Sequence, residues 1–252
     1  MYDCLVVIET HILFIGLVTF FLAGLTQGLT GFGFGLVAVP LLSFFISPRI
    51  VAPMIVLYTS VTNLMVVSNS WRHLNISRIY ILTLAALIGI PFGTWIIKSM
   101  EPDLLRLFIG IVVSLSAILM AVGIKFKINR EKIASIFVGF VSGILSGSIA
   151  VGGPPVILFF TNQEVPREEF RANIAAYFAP ISWAANLSFY VGGLLTMQTV
   201  LYSLWFVPAL IAGVFIGNRF NELISEIIYR RAALIIVFSA GILSIMNGLG
   251  IL

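Results

Sequence analysis

Residues 12–46 read ILFIGLVTFFLAGLTQGLTGFGFGLVAVPLLSFFI, a run without a charged side chain and with a glycine cluster, GLTGFGFG, at 28–35. A second apolar run, 133–163, carries SGSIAVGGPP at 146–155. Each run is more than 30 residues long, whereas about 20 residues of helix cross the core of a bilayer. We therefore predict that each run is interrupted at its glycines. It could form a hairpin of two short helices, a pair of short crossings, or one long broken crossing.

The rest of the chain has the same apolar character. Apolar residues make up 60% of the 252 residues and charged residues 10%, against about a quarter charged in a soluble domain. The backbone in lipid must satisfy its own hydrogen bonds, and these runs are too long for barrel strands. The predicted fold class is an all-α polytopic membrane protein. The six further apolar segments are 50–70, 78–97, 104–124, 172–193, 197–218 and 228–250.

The two halves of the chain share a pattern of glycines and prolines. The positions that align are Gly24 with Gly139, Gly28 with Gly143, and Pro40 with Pro155. Paired interrupted segments in two halves are typical of transporters built from internal repeats. We predict a first repeat over 1–124, a cytoplasmic connector over 125–132 and a second repeat over 133–252. Each repeat would hold one glycine-broken segment and three transmembrane helices.

The distribution of Lys and Arg predicts the orientation of these repeats. If each broken segment returns to the side from which it came, 11 basic residues share one face and 3 lie on the other. If each crosses once, the split is 8 to 6. The positive-inside rule favours the first arrangement. The two repeats are then inverted, and both termini lie outside.

The centres of the apolar segments contain no ionisable side chain. Paired carboxylates, a histidine metal site and a Ser-His-Asp triad all lack their residues there. Since intramembrane ionisable groups usually mark ion or proton pathways, their absence also constrains the mechanism. We predict that the chain is not an enzyme and needs no cofactor or metal.

Glycine, hydroxyl and amide groups remain as candidates for a site at mid-depth. If a half-helix begins at each glycine cluster, its free N–H groups and the positive end of its dipole point to the membrane centre. Two such ends could hold a small anion without a buried cation. The predicted substrate-binding residues are Gln27, Thr30, Gly31, Gly33, Gly35, Asn63, Ser146, Ser148, Gly152, Gly153, Pro154 and Asn186.

Several of these features also have a purely structural interpretation. Small residues four apart are typical of closely packed membrane helices, and we favour this interpretation for Gly89, Gly93, Gly213 and Gly217. Asn63 and Asn186, which occupy matching positions in the two halves, could bond between helices instead of binding a solute.

The stretch QEVPREEFRAN (163–173) is the most charged part of the chain. We favour a solvated cytoplasmic loop. The functional alternative is a gate or electrostatic guide for an anion, formed by Arg167, Arg171 and Asn173.

Three stretches resemble the TauE/SafE family of membrane permeases, also called the sulfite exporter family. They are GLTGFGFGLVAVPLL (28–42), SGILSGSIAVGGPPVILFF (142–160) and VPREEFRAN (165–173). The resemblance spans about residues 12–250 and implies transport of sulfite, sulfonates or related organic acids across a bacterial inner membrane. The family often has consecutive glycines in its first cluster, where this chain has Phe32 and Phe34, which could narrow or desolvate the site.

The function predicted from these observations is secondary transport of a small, sulfur-containing anion by alternating access. The site would lie between the two glycine clusters, and any coupling proton would travel on the substrate or through loop carboxylates. A passive anion channel is the main alternative, and a membrane scaffold or an enzyme acting on lipid-linked substrates is less favoured. The expected partners are the anion and the lipid bilayer, without nucleic acid, and a homodimer is left open.

Overall fold

A computed structural model of the chain describes residues 10–30, 33–123, 130–163, 165–220 and 226–251. Within these ranges the secondary structure is helical, with no strand, which confirms the all-α class. The helices are α1 Thr10–Thr30, α2 Phe34–Ser43, α3 Pro48–Ser70, α4 Ile76–Ser99, α5 Pro102–Val122, α6 Glu131–Ile149, α7 Gly153–Asn162, α8 Arg167–Val191, α9 Met197–Phe220 and α10 Glu226–Gly248. A short 3-10 helix, Trp71–His73, follows α3.

The ends of several helices follow directly from local sequence. Pro48 and Pro102 open α3 and α5, where a missing N–H costs no intrahelical bond. Gly123 ends α5 in the left-handed conformation, with φ of 64°, which glycine adopts without strain.

Long apolar helices make the protein a multi-pass membrane protein. Five of the described helical stretches are long and apolar enough to cross a bilayer: Pro48–Ser68, Ile76–Ser99, Pro102–Val122, Glu131–Ile149 and Met197–Gly217. Large apolar side chains such as Trp95, Phe137 and Phe215 are exposed on these helices. Such a surface suits lipid, which is as apolar as the side chains themselves.

Glycines bring pairs of helices into backbone contact. A methyl group on Gly89 or Gly93 of α4 would overlap the backbone of α6. A methyl group on Gly213 or Gly217 of α9 would overlap the backbone of α1. The packing interpretation of these four glycines is therefore confirmed.

The principal helix pairs are α4 with α6, α1 with α9, α5 with α10 and α3 with α8. The two halves of the chain can be exchanged helix by helix, α1 with α6, α2 with α7, and so on to α5 with α10. After this exchange the same four pairs result. The α1–α9 pair then becomes the α6–α4 pair, and the other two pairs map onto themselves.

Charged side chains lie at the two ends of the helix bundle. At the end where α4 terminates, Arg49 Nε donates to the carbonyl of Ile97 at 3.1 Å. At the end where α4 begins, Arg78 Nε lies 3.2 Å from a carboxylate oxygen of Glu169. The apolar part of the bundle lies between these ends.

Candidate functional site

Two helix junctions pack against each other inside the bundle. The first separates α1 from α2, and Gly33, the described residue in it, is left-handed with φ of 95°. The second separates α6 from α7, and Ala150 in it is also left-handed, with φ of 56°. A methyl group on Gly35 would overlap the carbonyl oxygen of Ala150. Glycine at position 35 therefore allows direct backbone contact between the two junctions.

A cavity of about 80 Å³ lies at these junctions. A single water needs about 10–15 Å³ by the same kind of measure, so the cavity can hold several waters or one small anion. The first turn of α2 and the α6–α7 junction form one part of its wall, and α1, α3, α6 and α8 form the rest. The residues that line it are Gln27, Gly33, Phe34, Gly35, Leu36, Val56, Thr59, Asn63, Ser146, Ala150, Val151, Gly152, Gly153, Ile174, Phe178, Ile181, Ser182 and Ala185.

Gln27 supplies an amide to this wall. Its side chain is buried, with 5% of the residue exposed. The Nε2 group donates to Thr62 Oγ1 at 2.9 Å, while Oε1 has no hydrogen-bond partner. Buried amide oxygens rarely lack a partner. Rotation of the amide exchanges its oxygen for its NH₂ group, so Gln27 can offer either an acceptor or a donor at this position.

The start of α2 contributes backbone donors. The first intrahelical bond runs from Val37 N–H to Gly33 O at 3.2 Å. The N–H groups of Phe34, Gly35 and Leu36 precede that bond, so the helix itself offers them no acceptor. Gly33 is the N-cap of α2, and no side chain at this position accepts a hydrogen bond from these N–H groups. These three groups and the helix dipole give this part of the wall a positive potential.

The start of α7 is poorer in donors. Gly152 is its N-cap, again without a side-chain cap, and Gly153 is its first residue. Pro154 and Pro155 follow, and proline has no N–H group. The two helix ends that the sequence predicted as matched anion sites are therefore unequal in their backbone donors, and α2 supplies more of them.

Hydroxyl and amide groups join α3 to α8 beside the cavity. Asn63 Nδ2 donates to Ser182 Oγ at 3.4 Å, and Thr59 Oγ1 lies 3.3 Å from the same oxygen. Asn186 Nδ2 donates to Ser60 Oγ at 2.6 Å. Both asparagines thus make the interhelical bonds that were the alternative to solute binding.

A family of known proteins matches most of the chain. The family described as sulfite exporter TauE/SafE matches residues 16–244. The chain belongs to the sulfite exporter TauE/SafE family. This confirms the resemblance carried by the glycine clusters, and the family is one of exporters by name.

One relative within the TauE/SafE family is described as a probable sulfite/organosulfonate exporter, TauE, from Cupriavidus necator. It is 24% identical over 221 residues, which cover 85% of this chain and 86% of that protein. No solved structure matches the chain.

The cavity of this TauE/SafE member brings together some of the predicted binding residues. Those that line it are Gln27, Gly33, Gly35, Asn63, Ser146, Gly152 and Gly153. Ser148, Pro154 and Asn186 do not line it, and Ser148 Oγ donates to the Ile144 carbonyl at 2.7 Å instead. Gly31 and the side chain of Thr30 lie outside the described residues.

The predicted gating residues lie away from the cavity wall. Asn173 is fully buried, and its Oδ1 accepts the backbone N–H of Asn75 at 2.8 Å. Arg171 is half-buried and does not line the cavity. The side chain of Arg167 lies outside the described residues. Asn173 is adjacent in sequence to Ile174, which does line the cavity.

Thr59 and Ser182 line the cavity but were missed by the sequence analysis. Each precedes an asparagine by four residues, Thr59 before Asn63 and Ser182 before Asn186. Residues four apart share a helix face, so this spacing was the available signal.

Proposed function

We propose that the chain is a secondary transporter that carries a small sulfur-containing anion across the inner membrane through this cavity. The family and the relative described as a sulfite/organosulfonate exporter support the transport of sulfur anions. The observation that carries the proposal is the contact of Gly35 with Ala150 beside a partly open cavity, whose mainly apolar lining includes the polar side chains of Gln27, Asn63, Ser146, Thr59 and Ser182. The two junctions are the places where free backbone donors can reach a solute.

The donors at the cavity suit an anion. Oxygen atoms of the solute would accept from the N–H groups of Phe34, Gly35 and Leu36 and from the hydroxyl of Ser182. A hydrogen bond to a charged group contributes about 1.5–3 kcal/mol, so several bonds offset part of the cost of removing the anion from water. The unpaired end of the Gln27 amide offers one further donor after rotation.

An inverted repeat accounts for ten of the eighteen residues that line the cavity. Pairs with a common spacing of 119 residues line it: Gln27 with Ser146, Gly33 with Gly152, Phe34 with Gly153, Thr59 with Phe178, and Asn63 with Ser182. The interchangeable set of helix pairs supports the same symmetry. Repeats over 1–124 and 133–252, joined by a connector over 125–132, would enclose a site at their interface.

A return of the second broken segment to its starting side is supported by a contact between its two ends. Gln163, the residue after α7, donates through Nε2 to Glu131 Oε1, at the start of α6, at 2.7 Å. With a similar hairpin in the first segment, the connector lies inside and both termini lie outside, in agreement with the positive-inside rule. Alternating access then follows from movement of one repeat against the other.

Flux into proteoliposomes tests this function. The purified chain should take up labelled sulfite and methanesulfonate with saturable kinetics. Preloaded unlabelled anion should also accelerate the entry of labelled anion, because a carrier exchanges its solutes. Linear flux without acceleration would favour a channel, and flux equal to that of empty liposomes would contradict transport of these anions.

A further inference from the structure

The wall of the cavity carries no ionisable side chain among the described residues that line it. The residues between α1 and α2 have no ionisable side chain either, as the sequence shows. Asp, Glu, Lys, Arg and His are absent from 12–48, 50–71, 133–163 and 172–218. All eighteen lining residues fall within these four segments. A bound anion therefore finds dipoles here, and no opposite full charge.

The two helix N-termini at the cavity can balance about one negative charge. Each helix N-terminus is equivalent to roughly half a positive charge, so the ends of α2 and α7 together supply about one. Pro154 and Pro155 remove N–H donors from the α7 end and lower its share. The cost of taking an ion out of water grows with the square of its charge, so a dianion costs about four times as much as a monoanion.

We infer that this cavity accepts monovalent anions and excludes divalent ones, an inference that rests on the proposed function. Sulfite would then cross as hydrogensulfite, whereas a sulfonate would cross in its ordinary form. The proton joins sulfite in solution before the anion enters and leaves it in solution on the other side. One proton and one sulfite cross together, and no side chain of the cavity takes up that proton.

Uptake at several pH values tests the inference. Proteoliposomes containing the full chain, with equal pH inside and outside, receive labelled sulfite or labelled methanesulfonate, a monoanion throughout the range. Above the second pKa of sulfurous acid, sulfite uptake at a subsaturating concentration should fall by about tenfold per pH unit, while methanesulfonate uptake stays constant.

The other outcomes of this measurement distinguish a failure of the charge selection from a failure of the proposed transport function. Sulfite uptake that stays level or rises with pH, beside constant methanesulfonate uptake, would overturn the inference and leave the transport function intact. A parallel fall for both anions would also overturn it, because the protein and not the solute would then be titrating. Uptake of neither anion would overturn the proposed function and the inference together.

Competition supplies a second measurement that needs no variant. Excess thiosulfate or sulfate, both dianions, should leave methanesulfonate uptake unchanged, while excess unlabelled ethanesulfonate should reduce it. Inhibition by either dianion comparable to that by ethanesulfonate would contradict selection by charge.

Discussion

Gly35, in the first turn of α2, lies directly against the carbonyl oxygen of Ala150, in the junction between α6 and α7. Residues that are 115 positions apart in the chain therefore bring two helix starts to the wall of one cavity. A site formed this way depends on backbone position more than on any one side chain.

Replacing Gly35 by alanine should damage this contact. The added methyl group would overlap Ala150 O, and forcing an extra methyl group into a packed interior costs about 1–3 kcal/mol. We expect a lower Tm in detergent and a large loss of anion flux. Gly153→Ala is the matched control for the Tm alone, because a methyl group there would meet Ile157 at 3.4 Å, an ordinary contact, whereas its flux is not compared since Gly153 lines the cavity. A normal Tm and normal flux for Gly35→Ala would contradict the contact.

The apolar runs of the sequence predicted the helices well. Each of the eight segments coincides with one helix or with one interrupted pair, because length and hydropathy suffice to define a membrane helix. The alignment of the first half of the chain with the second half was harder to predict. The sequence aligned Gly24 with Gly139, whereas the repeat proposed from the cavity residues has a spacing of 119, which would pair Gly24 with Gly143. Glycines recur every four residues on α6, so a shift of one turn leaves the pattern almost unchanged.

The composition of the cavity wall was only partly predictable. Glycines mark an interrupted helix, so Gly33, Gly35, Gly152 and Gly153 were identified from sequence. The loss of donors at the start of α7 follows from its prolines, but only once the first helical residue is known. Likewise, the burial of Asn173 against Asn75 depends on how α8 packs, which no local pattern encodes.

Removing the amide of Gln27 should weaken anion binding. Gln27→Met keeps the length of the side chain but removes its hydrogen-bonding groups. The loss of one bond to a charged solute, about 1.5–3 kcal/mol, corresponds to a rise in KM of about tenfold to a hundredfold. Thr26→Val, one position earlier, is the control, because Thr26 Oγ1 donates to Leu22 O within its own helix and does not line the cavity. Equal KM values for the two variants would exclude Gln27 from the site.

Close packing of α4 on α6 should be essential for folding. A valine at Gly93 would overlap the carbonyl of Ile144, and backbone cannot move aside as a flexible side chain can. We expect Gly93→Val to give little monodisperse protein in size-exclusion chromatography. Trp95→Ala, two positions further along α4 where the side chain is 68% exposed, should elute as the unchanged protein does. A normal elution profile for Gly93→Val would show that this contact is dispensable.

Polar contacts at the end where α4 begins should hold the two proposed repeats together. Glu169 of α8 lies 3.2 Å from Arg78 of α4 and also accepts from Asn75 Nδ2 at 3.3 Å. Weakening these bonds by Glu169→Gln, at about 0.5–1.5 kcal/mol, should favour the state that is open at this end.

Labelling of a cysteine at cavity residue 174 measures that shift. In a Cys4→Ser, Ile174→Cys background, Glu169→Gln should raise the rate of maleimide labelling from the connector side by about twofold to tenfold. Glu131→Gln is the control, because the Glu131 carboxylate accepts from Gln163 Nε2 within a single proposed repeat. The same labelling rate in both variants would argue against a gate at this position.

The position of the bound anion tests the central claim most directly. An experimental structure of the protein in saturating methanesulfonate should place sulfonate oxygens about 2.7–3.2 Å from the N–H groups of Phe34, Gly35 or Leu36. Density for the sulfonate on the arginines at the ends of the bundle, with none at the start of α2, would contradict the account.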